Sequence, residues 1–385
     1  MNAFVLFSFS NFIYANSYEE KFPTGPFIDK QVRFWELVFD KYDSNTAIIH
    51  DKKYPEVILD IIDFKKYGKE YRAYKARRNL AELYQQRYRI GLRRFAEQNI
   101  GAANHGKIEQ RIYNSYQRNE EALDLLLRGN AQIRIQFGMA NEFRTALFRA
   151  LQYLPHIEKV FQEYDLPIEL TRLPFVESMF QVTAQSKVGA QGIWQFMPET
   201  ARSYLKVNHL IDERFSPYKA TRAAAKFLND NYKMLKSWPL AITAYNHGPS
   251  SIRNAVNKHN TTDLEFIIKN YKAPSFGFAS SNFYAEFLAV NNIFNKYRNY
   301  IDEHAHSIAH QIKSVKLDGY YSLSQLTKST PLTAELIRKH NPEIRQNGYL
   351  FYMDNPLPKN FEIFFPANLS HDVNVAMNNI RAASL

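Results

Sequence analysis

A chain of 385 residues carrying a net charge of +11, with 23% of its side chains charged, is longer than one ordinary domain requires. At 45% hydrophobic, with only 13 Gly and 16 Pro, it can build a sizeable core, which excludes collagen-like, linker-like and generally disordered chains. It has no cysteine, and this excludes disulfide scaffolds, thiolate nucleophiles, iron–sulfur clusters, Cys-based zinc sites and thioether lipid anchors.

The first 18 residues hold no charged side chain, and residues 3–13 form an apolar run. A membrane-spanning helix takes ~20 residues, so the run is too short to span. It reads as the hydrophobic region of a secretory signal cleaved after Ala15, which predicts export to the periplasm or cell envelope without a lipid anchor. From Val32 to Tyr42, apolar residues at 34, 35, 38, 39 and 42 predict an amphipathic helix. Residues 46–49 and 57–62 are short β-branched runs. Over 65–97 the spacing of Tyr67, Tyr71, Tyr74, Ala81, Tyr88, Leu92 and Phe95 predicts a long helix, ~45 Å from end to end. Between Lys65 and Phe95 stand eleven Lys or Arg against Glu70 and Glu82, a net +9 that is nearly the whole excess of the chain. Two readings follow. The interleaved tyrosines and cations grip an anionic polymer or membrane surface, or the tyrosine stripe packs inward while the cations snorkel into water. For an exported chain nucleic acid is not the expected partner. Helical patterns continue over 108–128 and 131–153, and no internal repeat is visible.

The chemistry concentrates after residue 165. Asp165 caps a helix with Pro167 in its first turn, and Leu170, Leu173, Pro174 and Glu177 recur at helical spacing. A carboxyl on an apolar stripe has a desolvated charged form, which keeps it protonated as a general acid requires. The alternatives are a glutamate satisfied by Arg172, or a stripe that ends in solvent. Gly189 and Gly192 then bracket Ala190-Gln191, ahead of Ile193-Trp194-Gln195-Phe196-Met197-Pro198. Small residues allow backbone to approach a ligand, and an exposed Trp/Phe/Met group with an amide suits a sugar ring and its N-acetyl group. Trp238 to His247 reads as a helix closed by Gly248 in the left-handed position, with Tyr245 and Asn246 at its last turn.

Four ordered blocks carry a family resemblance: Glu177-Ser178 after a Leu-Pro pair, Ser186 through Pro198, Ala244-Tyr245-Asn246-His247-Gly248, and Asn282 through Ala289. The chain resembles the lytic transglycosylases of the soluble and membrane-bound type D group, with a departure at His247, where the family often has Ala. The resemblance implies a lysozyme-like helical catalytic domain in which Glu177 is the sole acid/base. It further implies that Ser178, Ser186, Gln195, Met197, Tyr245, Asn246 and Tyr284 line a glycan cleft. The implied partner is the peptidoglycan glycan strand, cut at its N-acetylmuramic acid–β-1,4–N-acetylglucosamine bond to leave a 1,6-anhydro end. The other classes are a lysozyme-like hydrolase and a catalytically silent wall-binding protein. On this reading, neutralising Arg77, Arg78, Arg93 and Arg94 is expected to weaken binding to sacculi at low salt.

Independently of the resemblance, no Asp or Glu occurs between Ser178 and Pro198. Hydrolytic glycosidases ordinarily need a second carboxylate. The next acids look structural: Glu199 in a helix first turn, and Asp212-Glu213 before Arg214 and Ser216-Pro217. The histidines, His304, His306 and His310 among them, show no metal-ligand spacing, and no phosphate- or dinucleotide-binding glycine motif or nucleophile elbow occurs. No metal or cofactor is therefore expected.

Residues 313–368 read as strand (315–317), helix (322–329), helix (333–340) and closing strand (357–366). This β-α-α-β order, with Asn341 after the second helix, resembles a degenerate lysin motif, which implies binding of N-acetylglucosamine-containing glycans; a packing appendage is the alternative. The expected architecture is mainly α: a signal segment (1–15), a helical N-terminal region with the basic helix (16–130), a catalytic domain (131–305), a small α+β lysin-motif-like module (306–370) and a loose tail (371–385).

Overall fold

The computed structural model describes residues 18–98, 106–345 and 355–383. The expected signal segment and its cleavage point lie outside them. The fold is mainly α, 63% helix and 10% strand. In chain order the elements begin with helix α1 (Pro26–Glu36), strands β1 (Thr46–Asp51) and β2 (Ile58–Asp63), helices α2 (Tyr74–Gln98), α3 (Lys107–Tyr116) and α4 (Glu120–Leu127), strand β3 (Ile133–Phe137) and helix α5 (Ala140–Glu163). They continue with α6 (Leu173–Ser178), α7 (Pro198–Ala201), α8 (Pro217–Leu235), α9 (Trp238–His247), α10 (Pro249–His259), α11 (Leu264–Asn270), α12 (Phe278–Lys296) and α13 (Arg298–Ile308). The last elements are β4 (Ile312–Lys316), α14 (Leu323–Ser329), α15 (Ala334–His340), β5 (Glu362–Pro366) and α16 (Ser370–Ala383). They form two compact units, one from residues up to 145 together with 230–297, the other from 146–229 together with 298 onward.

In the first unit the two β-branched runs become β1 and β2, and a third strand joins them in the antiparallel order β2-β1-β3. Strand β3 falls inside the stretch read as helix over 131–153. Its Ile133, Ile135 and Phe137 alternate with Arg134 and Gln136, the two-residue period of a strand, and the pairing of Ile135 with Ile49 fixes it. Every residue of β1 is buried, so the central strand of the sheet is covered on both faces. The basic segment is shorter than expected as a helix. Two 3-10 turns, Phe64–Lys66 and Lys69–Arg72, precede α2, with Gly68 between them. Ala81, Tyr88, Leu92 and Phe95 face inward while Arg87, Arg89, Arg93 and Arg94 point to water. Tyr74 remains exposed. The inward stripe matches the snorkelling arrangement. Along α12, Trp35 of α1 donates its indole N–H to Asn282 at 3.0 Å and its ring meets Phe278.

In the second unit β4 and β5 pair antiparallel over Leu323, Leu326, Ile337, Phe361, Ile363 and Phe365. The order β4-α14-α15-β5 is the β-α-α-β arrangement expected from the sequence. Asn341 ties the end of α15 to β5, donating to the carbonyls of Ile337 and Phe364 and accepting from Phe364 N–H at 2.8 Å. The tail is not loose: it forms α16, whose Val373 and Met377 complete this core. Ile211 also belongs to the core, so the module is fused to the segment before α8.

Candidate active site

Glu177, Ser178, Ser186, Gln195 and Met197 belong to the second unit, and Tyr245, Asn246 and Tyr284 to the first. Each set has its own framework.

Helix α6 has only six residues, with Pro174 in its first turn, and it ends abruptly because Met179 and Phe180 both adopt left-handed backbone, φ 51° and 56°. Two bulky residues there cost of order 1–2 kcal/mol each. The surroundings compensate. Phe180 is buried edge-on against Phe175, and Arg149 donates to the Met179 carbonyl at 3.1 Å. Glu177 thus sits on the last turn before a forced reversal. It is half-buried, not sunk into the core as the apolar stripe predicts, because the short helix turns that face partly outward. Arg172, the partner considered from sequence, is buried and pairs with Glu158 at 2.9 Å.

Ser178 fixes α6 to the loop that follows: its hydroxyl donates to the Ile193 carbonyl at 2.8 Å. That loop is a tight knot over 184–197. Ser186 Oγ accepts from Ala190 N–H at 2.8 Å, and the Gln195 amide donates to the Gly192 carbonyl at 2.8 Å. Gln195 itself has φ 47°, and with Asp165 at 54° it makes four non-glycine residues in left-handed backbone between 165 and 195. Gly192, at φ 78°, lies so close to the Arg214 carbonyl that a Cβ would fall 1.8 Å from it. Its smallness therefore serves packing within the chain, not approach to a ligand. The exposed aromatic platform expected here is also corrected. Trp194 is fully buried, stacked on Phe161 at 5.7 Å and hydrogen-bonded to Thr221, and Phe196 is buried as well. Of that group only Met197 is exposed.

Sequence reading missed Arg214, which had the appearance of part of a turn. Its guanidinium donates to the carbonyls of Gly189 (2.8 Å) and Phe196 (3.3 Å) while holding Asp212 at 2.8 Å through two nitrogens. Asp212 is fully buried and also accepts from Arg345 at 2.7 Å. Glu213 pairs with Lys219, which also pairs with the buried Glu343 at 2.9 Å. The only signal was an Asp-Glu-Arg triplet ahead of Ser-Pro. Glu199 is exposed in the first turn of α7.

In the first unit, Asn246 is exposed and Tyr245 half-buried at the end of α9. Ser280 donates to Asn246 Oδ1 at 3.0 Å and lies 3.1 Å from His247 Nδ1, so α12 braces this turn. Gly248 has a positive φ of 97° but a ψ of 132°, which departs from the expected left-handed helical cap and turns the chain directly into Pro249 of α10. Tyr284 does not line an open surface: it is 1% exposed, its hydroxyl donates to the Pro23 carbonyl at 3.1 Å, and burial pushes the phenol up. Two residues on, Glu286 is half-buried, and desolvation pushes its carboxyl up to about 8.

Among the described residues no group of His, Asp and Glu has the arrangement of a metal site, and no helix is long and apolar enough to cross a membrane.

Residues 157–267 match the family model described as "Transglycosylase SLT domain". Over 122 residues the chain is 35% identical to "Membrane-bound lytic murein transglycosylase D" of Escherichia coli (strain K12), covering 31% of this chain and 27% of that protein. It is 33% identical over 125 residues to an Alteromonas sp. (strain M-1) protein named for tributyltin chloride resistance, covering 31% of this chain and 60% of that one. The matched stretch thus spans about a quarter of the Escherichia coli relative. A solved structure of an inactive mutant of lytic transglycosylase Slt from Pseudomonas aeruginosa aligns with a TM-score of 0.30 at 21% identity, over 60% of this chain and 36% of that one. The family match agrees with the resemblance read from the motifs.

Proposed function

From the premise that this chain carries a Transglycosylase SLT domain over residues 157–267, we propose that it is a peptidoglycan lytic transglycosylase with Glu177 as its one acid/base. The observation that carries the reading is that, apart from the exposed Glu199 in the first turn of α7, the acids that follow Glu177 in this segment are committed elsewhere. None occurs from Met179 to Met197, Asp212 is held by two guanidiniums, and Glu213 is paired with Lys219. Hydrolysis by two carboxylates is left with only Glu199 as a second member in this segment, and Glu199 is exposed in the first turn of α7.

In the proposed reaction the protonated Glu177 gives its proton to the glycosidic oxygen as the bond from muramic acid C1 breaks. The substrate's own N-acetyl oxygen closes on C1. The Glu177 carboxylate then takes the proton of the C6 hydroxyl, and O6 attacks C1, displacing the N-acetyl oxygen and forming the 1,6-anhydro ring. Bonds and protons balance, and no water enters. Ser178 and Gln195 act here as positioning residues that hold α6 against the loop, while Met197, Tyr245 and Asn246 are proposed to contact sugar. The order of regions proposed is an N-terminal helical region, a catalytic domain over 131–305 and a lysin-motif-like glycan-binding module over 306–370, in an exported protein.

Digestion of purified sacculi in ¹⁸O-water tests the chemistry. The expected muropeptides are lighter by one water than hydrolysis products and carry no label at the new end. Labelled reducing ends would assign a hydrolase instead.

A further inference from the structure

A pocket of about 630 Å³ opens in the first unit, between the outer face of α1, the turn leading into β2, and α3. Its charged lining is Lys30, Arg33, Lys107, Arg111 and Arg118 against the single acid Glu56, a net +4. Among the described residues Arg33, Lys107 and Arg118 enter no ion pair, and all three are exposed. Arg111 is fixed by Asp60 at 3.0 Å and by Tyr88 Oη at 3.1 Å, so one guanidinium is held ready at the wall. Glu56 does not repel an incoming anion strongly. It accepts from Asn119 at 2.6 Å, and the Lys30 charge acts on it directly.

No aromatic ring lines the pocket, which gives no surface for stacking a base or sugar ring. The rest of the lining is amide and hydroxyl from Gln110, Asn114, Ser115 and Asn119, with Val57 and Ile58 as its apolar part. Guanidinium groups match oxyanions through paired N–H donors. A phosphoryl group brings roughly 1.5 to 2 negative charges and three acceptor oxygens, so with Arg111 already paired to Asp60 two of them balance the roughly +3 that remains. We propose that this pocket binds a compact anion bearing two or three phosphoryl groups, either free or carried on a sugar. The site is separate from the basic helix and from the residues of the proposed reaction, and it does not rest on that reaction.

The test is calorimetric titration of the full chain at physiological ionic strength with sodium tripolyphosphate and, in parallel, glucose 1,6-bisphosphate. The stronger of the two identifies a free or a sugar-borne ligand. Arg33→Gln/Arg118→Gln is expected to weaken binding at least about tenfold, the loss of charge-assisted hydrogen bonds. Arg87→Gln/Arg89→Gln removes the same charge from α2 and is expected to change affinity less than about twofold, since screening suppresses distant charges. Lys107→Gln, a single exposed change, gives a second reading of the site, with an expected loss of about threefold. Unaltered melting of each variant shows that the fold is intact. Absence of binding to both probes, or an equal loss in the pocket and α2 pairs, would overturn the assignment.

Discussion

Gly192 and Glu286 show how single residues acquire different meanings in the fold than their types convey. Gly192 was legible as a position needing a small residue, but the reason is the Arg214 carbonyl behind it and a φ of 78°. Gly192→Ala is expected to cost about 2–4 kcal/mol, from backbone strain and displacement of the Arg214 segment, read as a lowered denaturant midpoint. An unchanged midpoint would mean the close approach relaxes freely. Glu286 holds its proton up to about 8 in the folded chain, whereas a free glutamate loses it near 4.5. The unfolded state is therefore favoured increasingly as pH rises from 4.5 to 8. Glu286→Gln should raise the melting temperature at pH 8 and leave it nearly unchanged at pH 4; equal effects at both would contradict the burial argument. Its signal in the sequence is that it is the single acid of α12, set between Ala285 and Phe287 in an apolar run. Trp194 and Phe196 escaped sequence reading for a related reason: a Trp/Phe/Met cluster in a Gly-flanked loop looks the same whether it faces a ligand or, as here, Phe161 and Thr221.

Among the elements, local period carried the reading where contacts are local and failed where they are not. The amphipathic pattern over 32–42 appears in α1 and its extension through Lys41, and the β-α-α-β order of the last region appears as β4, α14, α15 and β5. Strand β3 was hidden because its partner β1 lies more than eighty residues earlier, and a five-residue alternation running into a 24-residue helix is absorbed into that helix. The tail became α16 because Val373 and Met377 find a core that only the folded β4–β5 pair creates. For the loop that carries Ser186 and Gln195, the element-level prediction concerns its clasp. Arg214→Met leaves Asp212 buried with Arg345 alone and frees two loop carbonyls, so stability should fall by about 3–5 kcal/mol. Glycan cutting should fall with it even at temperatures where the variant is fully folded. Retained activity in a folded variant would separate the clasp from the site. The basic α2 gives another expectation. Arg87, Arg89 and Arg93 are exposed, and their joint replacement by Gln should weaken sacculus binding in low salt and have no effect in high salt. Arg77 and Arg94 are poorer probes, because Arg77 is bonded to Asn45 at 2.9 Å and Arg94 lies 3.7 Å from Glu109.

Over the whole molecule, the buried His50 and His340 and the half-buried His156 shape the response to acid. Burial lowers His50 to about 3, and His156 and His340 to about 4, so all three are neutral in the folded chain at the free value of 6.5. Their contribution to stability is present above pH 6.5 and is lost progressively as pH falls towards 4 and below, because the unfolded chain binds protons first. Because Glu286 acts in the opposite sense between pH 8 and 4.5, the decline is read by comparison: the wild-type chain should lose stability more steeply below pH 6.5 than His156→Gln/His340→Gln, and equal slopes would contradict it. Chain order and compact units also part company at this scale. Residues 230–297 join the N-terminal region, through bonds such as Trp35 to Asn282, and 146–229 join the C-terminal module, through Arg345 to Asp212. Motif blocks give sequence order but carry no trace of such pairings, which is why the segmentation read along the chain does not coincide with the units. The central claim is that one glutamate performs both proton transfers. It is tested most directly by digesting purified sacculi with the wild-type chain and with Glu177→Gln and quantifying 1,6-anhydro ends by mass spectrometry. A folded Glu177→Gln variant should lose activity by about a hundredfold or more. Anhydro ends released by that variant at the wild-type rate would contradict the account.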